Sequence, residues 1–470
     1  MAEERPKKQW IMNAFAIFSP GHLAPGQWKH PEDRAGDYTD LTYWTDLAKI
    51  LEAGKFHGLF LADHLGIYDV YKGPGNSAPA LESGAQFPIG DPFLLISAMA
   101  AATKSLSFAI TASTTYENPY ATARRFSTLD HLTNGRVGWN VVTSYLESAA
   151  KAFGLSEQIP HDERYERADE YLEVVYKLLE GSWKDDSRIK DAVSGKYSDS
   201  PASSFRSTHT IHPSSWCIFV GPTSIPLQHK PQSDFLSPSA GKNFAAKHSE
   251  AMFLPGLEPE KVRKEADQIR SQVVGYNRAP DSIKFLAGML VIVDETDEKA
   301  QAKYQNLLQY ADLEGAAALF GGWTNHDLSK YGEDEDFKFT GSGAIQSMVN
   351  TWSATIPGTD GVKWTRRRVL QELAIGGAHP RAIGSPQTVA DILQKWIDVA
   401  GVDGFNLSYA ISPGGFEDMI KYLWPELRKR GVFWDDYEKV GGSMRESYLG
   451  DGKGPRLREG HPGESYKWAD

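Results

Sequence analysis

The chain has one cysteine, Cys217, in 470 residues, so an intramolecular disulfide framework is excluded. Proteins without disulfides are typical of reducing compartments, and a cytoplasmic location is expected. The sequence also lacks an apolar N-terminal segment and any apolar run of membrane-spanning length. We therefore predict neither a secretory signal nor a membrane association.

Positive charge is scarce relative to negative charge. The chain has 50 Lys and Arg residues and 61 Asp and Glu residues, which gives a net charge of -11. Nucleic-acid-binding proteins carry a basic surface, so nucleic acid is not an expected partner. The sequence contains no G-x-G-x-x-G after a strand, no P-loop, no H-E-x-x-H, no G-x-S-x-G and no paired cysteines. No metal site is predicted. A bound cofactor is therefore expected to supply the chemistry.

Apolar strands alternate with amphipathic helices along most of the chain. The count is close to eight β/α units, which predicts an α/β fold of the TIM (β/α)8 barrel type with insertions. We predict one barrel domain over residues 1–438, with an anomalous segment at 197–239 and an insertion at 312–383. Residues 439–470 form a polar, glycine-rich tail.

The stretch Ser127–Tyr145 shows the repeating unit most clearly. Residues at helical spacing are followed by the turn-forming pair Asn134-Gly135 and then by a valine-rich strand. The strand ends in the polar residues Thr143 and Ser144. Polar side chains at the carboxyl ends of barrel strands build active sites. This stretch is therefore predicted to form one wall of such a site.

Other polar residues occupy comparable positions. Asp63 follows the strand Gly58–Ala62 and either faces the barrel mouth or ties down the next loop. Ser113, near the end of another strand, either binds a polar ligand or helps to cap the following helix. Asn140 points into the barrel, where it binds a ligand or satisfies backbone groups.

His161 and Tyr165 are four residues apart at the start of a long amphipathic helix, so they share one face. A helix N-terminus favours a phosphate. The carboxylates of Asp162 and Glu163 would repel a phosphate there unless their side chains turn outward. Structural and ligand-binding roles both remain open from the residues alone.

Long stretches of the chain resemble the bacterial-luciferase-like flavin monooxygenases. The resemblance is to the nitrilotriacetate and dibenzothiophene-sulfone monooxygenase branch, and within it to the long-chain alkane monooxygenase type. The matching stretches are IMNAF, LTYWTDLAKILEAGKF, LFLADHLGIYDVY, DPFLLISAMA, STTYENPYATARRFSTLDHLTNGRVGWNVVTS, HDERYERADEYLEVVYKLLEGSW, AGKNFAAKHSEA and GVDGFNLSY.

The resemblance implies a TIM barrel that uses FMN as FMNH2, delivered by a separate NAD(P)H:flavin reductase. With O2, a flavin 4a-hydroperoxide would insert one oxygen atom into a small organic substrate. The family also implies a homodimer or homotetramer. Two alternatives remain: a catalytically impaired flavin-binding pseudoenzyme, and a deazaflavin-dependent oxidoreductase.

The resemblance also assigns individual residues. Those that would line the isoalloxazine are Asp63, Ser113 and Asn140; those that would hold the ribityl chain and phosphate are Ser144, His161, Tyr165 and Ser237. Tyr68 would face the substrate. Related alkane enzymes have a histidine where this chain has Tyr145, and another in the segment that is LEGAAALFGG here. The substrate side is therefore expected to differ from theirs.

The anomalous segment 197–239 loses all similarity to the family and then regains it at once. Our hypothesis is a frame-shifted or misassigned coding segment, which sequencing of the transcript would test. If the segment is genuine, we expect a damaged fifth strand and an incomplete phosphate site near Ser237.

Overall fold

The computed structural model describes residues 8–182, 187–198, 217–220, 239–337, 348–353 and 361–467, with backbone alone for 217–220 and Ser239. Its strands are β1 Ile11–Ile17, β2 Gly58–Ala62, β3 Ser107–Ser113, β4 Val137–Val142, β5 Cys217–Val220, β6 Ala251–Leu254, β7 Lys284–Val293, β8 Arg381–Gly384 and β9 Gly404–Ser408.

The helices carry the labels α1 to α15 in chain order. They are α1 Leu41–Ala53, α2 Ala78–Ser83, α3 Phe93–Ala101, α4 Pro119–Thr133, α5 Glu147–Ala152, α6 His161–Leu179, α7 Ser239–His248, α8 Pro259–Val274, α9 Asp297–Tyr310, α10 Leu313–Thr324, α11 Arg366–Leu373, α12 Pro386–Lys395, α13 Gly414–Asp418, α14 Trp424–Lys429 and α15 Met444–Leu449.

Eight parallel strands close into a barrel. Each of β1 to β7 pairs with the next in sequence, and β9 pairs with both β7 and β1. Leu290 of β7 is opposite Ser408 of β9 and also opposite Arg381 of β8, so β8 lies on the other edge of β7. The predicted TIM barrel is confirmed.

The expectation of a damaged fifth strand is wrong. Cys217–Val220 pairs in parallel with β4 on one side and with β6 on the other. A short apolar run is sufficient at the fifth strand position, because a parallel strand requires backbone pairing with its neighbours more than any particular side chain. Ser237 lies outside the described residues.

The barrel interior is filled by an inner aromatic layer, Phe15, Phe60 and Phe253. Their ring centroids are 5.4 to 6.3 Å apart and the contacts are edge-to-face. Below them, α15 covers the amino-terminal end of the barrel, where the Tyr448 hydroxyl donates to Asn13. With that end covered, the carboxyl ends of the strands are the place for a site.

The predicted insertion 312–383 contains regular elements that the sequence did not predict. Residues 313–324 form the buried helix α10, and 381–384 form β8. None of the helices in the described part of the chain combines the length and apolarity needed to cross a lipid bilayer.

Candidate active site

The Asn134 turn sets the register of β4. Asn134 adopts a left-handed conformation (φ 54°) and closes α4 by donating its backbone N–H to the carbonyls of that helix. Strand β4 then runs beside β3, with Asn140 opposite Thr111 and Val142 opposite Ser113. The polar residues of the two strands therefore share the inner face of the barrel.

Asn140 has an unpaired buried oxygen. Its Nδ2 donates to Thr111 Oγ1 at 2.7 Å, and that hydroxyl donates to the Leu61 carbonyl at 2.7 Å. Asn140 Oδ1 is buried and has no partner. A buried acceptor without a hydrogen bond costs about 1–3 kcal/mol, so it is well placed for an N–H group of a ligand.

Ser113 and Ser144 meet at the ends of β3 and β4. Their hydroxyl oxygens are 2.8 Å apart, and Ser144 has a φ of 55°, a conformation that is uncommon outside glycine and clusters at functional sites. The alternative that the Ser113 region caps the next helix is wrong, because Asn118 accepts the N–H of Tyr120 at 2.9 Å and caps α4.

Asp63 stands at the end of β2 as an uncharged acid. Burial and, to a smaller extent, the nearby Asp91 raise the pKa of its carboxyl to about 8, while the backbone N–H of His64 opposes the shift. At pH 7 the group is therefore largely protonated and can donate a hydrogen bond.

Tyr68 and Tyr145 are brought together beside this wall. The Tyr68 hydroxyl donates to Gln86 Oε1 at 2.8 Å and accepts from Trp323 Nε1 at 3.1 Å. Burial raises the pKa of Tyr145 to about 12 and that of Tyr68 well above its usual value. Both phenols are neutral donors at physiological pH.

The loop that carries Tyr68 is fixed to α5. Ser148 Oγ accepts the N–H of Ile67 at 3.0 Å and donates to its carbonyl at 2.7 Å. A β-carbon at Gly66 would lie 2.4 Å from that hydroxyl, so glycine is required for the approach. An apolar mouth cluster packs here: Tyr68, Ala80, Ala85, Leu146, Ala149, Ala318 and Leu319.

His161 and Tyr165 lie on one face of α6, as the spacing predicts, with ring centroids 5.1 Å apart. His161 Nδ1 is 2.7 Å from Asp162, whereas Glu163 turns outward to Arg167. The loop before α6 is tied to the start of α5, since Gln158 Nε2 donates to the Leu146 carbonyl at 3.3 Å. The start of α6 is thereby anchored next to Tyr145.

Arg164 was not identified from the sequence. It is buried, its Nη1 donates to the Ile159 carbonyl at 2.8 Å, and its Nε has no partner. In the part of the chain that the structure describes, no carboxylate pairs with it. The only signal in the sequence was its place between His161 and Tyr165. A buried guanidinium without a counter-charge at a helix N-terminus fits a phosphate.

The family model described as luciferase-like monooxygenase matches residues 14–403. The dimethyl-sulfide monooxygenase of Hyphomicrobium sulfonivorans is 44% identical over 98% of this chain and 94% of its own length. The long-chain alkane monooxygenase of Geobacillus thermodenitrificans is 44% identical over 98% of both chains. A crystal structure of riboflavin lyase with modified FMN has 32% identity and a TM-score of 0.82, covering 98% of this chain and 100% of the other.

Proposed function

Because the chain belongs to the luciferase-like monooxygenase family and is a flavin-dependent monooxygenase, we propose that it is the oxygenase component of a two-component system. It would take FMNH2 from an NAD(P)H:flavin reductase and use O2 to oxidise a small organic substrate. The observation that carries the use of flavin is the unpaired Asn140 oxygen in a wall of uncharged donors.

The residues present fit FMN. We infer that Asp63, Ser113 and Asn140 would bind the ring system, that Ser144 would bind the ribityl chain, and that Arg164, His161 and Tyr165 would bind the phosphate. When bound, reduced FMN would supply the two electrons that activate O2, so that one oxygen atom of O2 enters the substrate and the other leaves as water. The protein's part is to orient the ring, to donate hydrogen bonds from neutral groups, and to exclude water with the mouth cluster.

Anaerobic titration with FMNH2 tests the cofactor assignment. We expect saturable binding by the purified protein, with a weaker affinity for oxidised FMN. With an added flavin reductase and air, substrate screening should follow the oxidised product, because NADH loss also counts uncoupled peroxide release. Absence of FMNH2 binding would overturn the proposed function.

FMNH2 binding is expected to weaken above about pH 8. Below that pH the Asp63 carboxyl is protonated, and above it the carboxylate repels the anionic cofactor. In Asp63→Asn, which stays neutral, the loss of affinity near pH 8 should be absent. Dissociation constants measured from about pH 6 to pH 9 would show the difference.

Asp91→Asn is the matched control for this pH effect. The Asp91 charge helps to raise the pKa of Asp63. Its loss should therefore move the weakening of FMNH2 binding to lower pH. Asn keeps the oxygen that accepts the N–H of Phe93, the first residue of α3, at 2.9 Å. An unchanged onset in Asp91→Asn, or a pH-dependent Asp63→Asn, would contradict the assignment.

A further inference from the structure

Helix α10 rests directly on the Tyr68 ring. A β-carbon at Gly322 would lie 1.9 Å from Cδ1 of Tyr68, and one at Gly315 would lie 2.7 Å from the Ser83 side chain. Both approaches require glycine. Asp312 Oδ1 accepts the N–H of Gly315 at 2.9 Å and fixes the start of the helix. The end of α10 is therefore held over the mouth of the barrel.

Trp323, the next residue, is fixed at both ends of its indole. Its Nε1 donates to the Tyr68 hydroxyl at 3.1 Å. At the other end, Gly377 (φ 57°) leaves room for the ring, since a β-carbon there would lie 2.8 Å from Cη2. Trp323 packs against the buried barrel cluster that contains the inner aromatic layer, and also against the mouth cluster. It therefore lies between these two clusters.

Three histidines of the barrel interior and mouth are uncharged at neutral pH. Burial lowers the pKa of His22 to about 3 and those of His64 and His379 to about 4. The His64 ring lies 4.7 Å from that of Tyr68, and His22 and His379 both pack on Phe15. A charged substrate would lose its hydration here without gaining an opposite charge.

We propose that Trp323 sets the length of substrate that the enzyme accepts, so that wild-type protein takes short, uncharged, weakly polar molecules such as small dialkyl sulfides. The proposal rests on the proposed function for the place of the reaction. The indole lies between the barrel interior and the mouth cluster, where it would limit how far a longer chain could extend. An aromatic side chain buries about 150–250 Å² of surface, so the indole is large enough to exclude several methylene groups of a substrate chain.

Binding of dimethyl, diethyl, dipropyl and dibutyl sulfide to the flavin-free protein, measured by calorimetry, tests this directly. Each buried methylene should raise affinity about fourfold while the chain still fits. In wild-type protein we expect this gain to stop early in the series. In Trp323→Ala it should continue to the longest sulfide, and Trp323→Phe should lie between them.

Trp434→Ala is the matched control, because Trp434 is also half-buried and donates one indole hydrogen bond, at 2.7 Å to the Lys55 carbonyl. It stacks on His57 at the opposite end of the barrel and should keep the wild-type profile. Identical profiles for wild type and both Trp323 variants would overturn the proposal, as would absence of sulfide binding by all of them. Loss of FMNH2 binding by wild-type protein would instead overturn the proposed function.

Discussion

Replacement of Arg164 by methionine is expected to weaken FMN binding by about 10- to 100-fold, the effect of one or more hydrogen bonds to a charged group. Arg164 is buried without a carboxylate partner among the described residues, and its Nε is unpaired. Burial of an uncompensated charge is unfavourable, and burial lowers its pKa. A bound phosphate would remove that cost.

Riboflavin separates a phosphate contact from a packing effect, because it lacks the phosphate group. Arg164→Met should lose affinity for FMN and keep its affinity for riboflavin. The flavin-free variant should melt close to wild type, since no ion pair is broken and only the hydrogen bond to the Ile159 carbonyl is lost. Equal loss of both flavins would assign Arg164 to packing, and unchanged FMN affinity would remove it from the site.

Arg167→Met is the control for charge. Arg167 is one turn further along α6, is exposed, and pairs with Glu163 at 2.5 Å on the surface. Its removal takes away the same formal charge outside the site. Exposed pairs contribute about 0–1 kcal/mol, so FMN affinity should change by less than about fivefold. Arg164→Lys should retain part of the wild-type affinity, because it keeps the charge but not the planar fork.

The sequence was sufficient to predict the parts of the fold that local pattern determines. In Ser127–Tyr145, the Asn134-Gly135 turn, the valine-rich strand and the inward Asn140 all follow from local rules, and the structure has each of them. Strand β8 was missed, because four residues with only Ala382 and Gly384 buried carry too little periodicity.

Helix α10 was missed for a different reason. Three glycines in LEGAAALFGG lower its helix propensity, yet two of them are needed so that the backbone can approach Ser83 and Tyr68. Tertiary contact therefore outweighs propensity. Arg164 and Trp323 were missed for a third reason. Residues far apart in sequence decide whether Arg164 is buried without a carboxylate partner and whether Trp323 contacts Tyr68.

The other large effect is expected at the covered end of the barrel, where the tail segment contributes a buried ion pair. Arg445 of α15 donates to both carboxylate oxygens of Glu250, at 2.5 and 3.0 Å, and its side chain also donates to the Pro455 carbonyl. The two side chains are 1% and 4% exposed. Glu250 immediately precedes β6, so the pair connects the tail to the side of the barrel that contains the short strand β5.

Glu250→Gln or Arg445→Met should each lower the free energy of unfolding by about 3–5 kcal/mol, because each leaves an uncompensated or unpaired polar group in a buried site. The double variant should lose less than the sum, since neither charge then remains alone. Urea unfolding followed by tryptophan fluorescence measures this. Asp267→Asn, which breaks the half-exposed Arg263–Asp267 pair at 2.7 Å, should cost less than about 1 kcal/mol. Equal effects for the buried and exposed pairs would show that the tail does not secure the barrel.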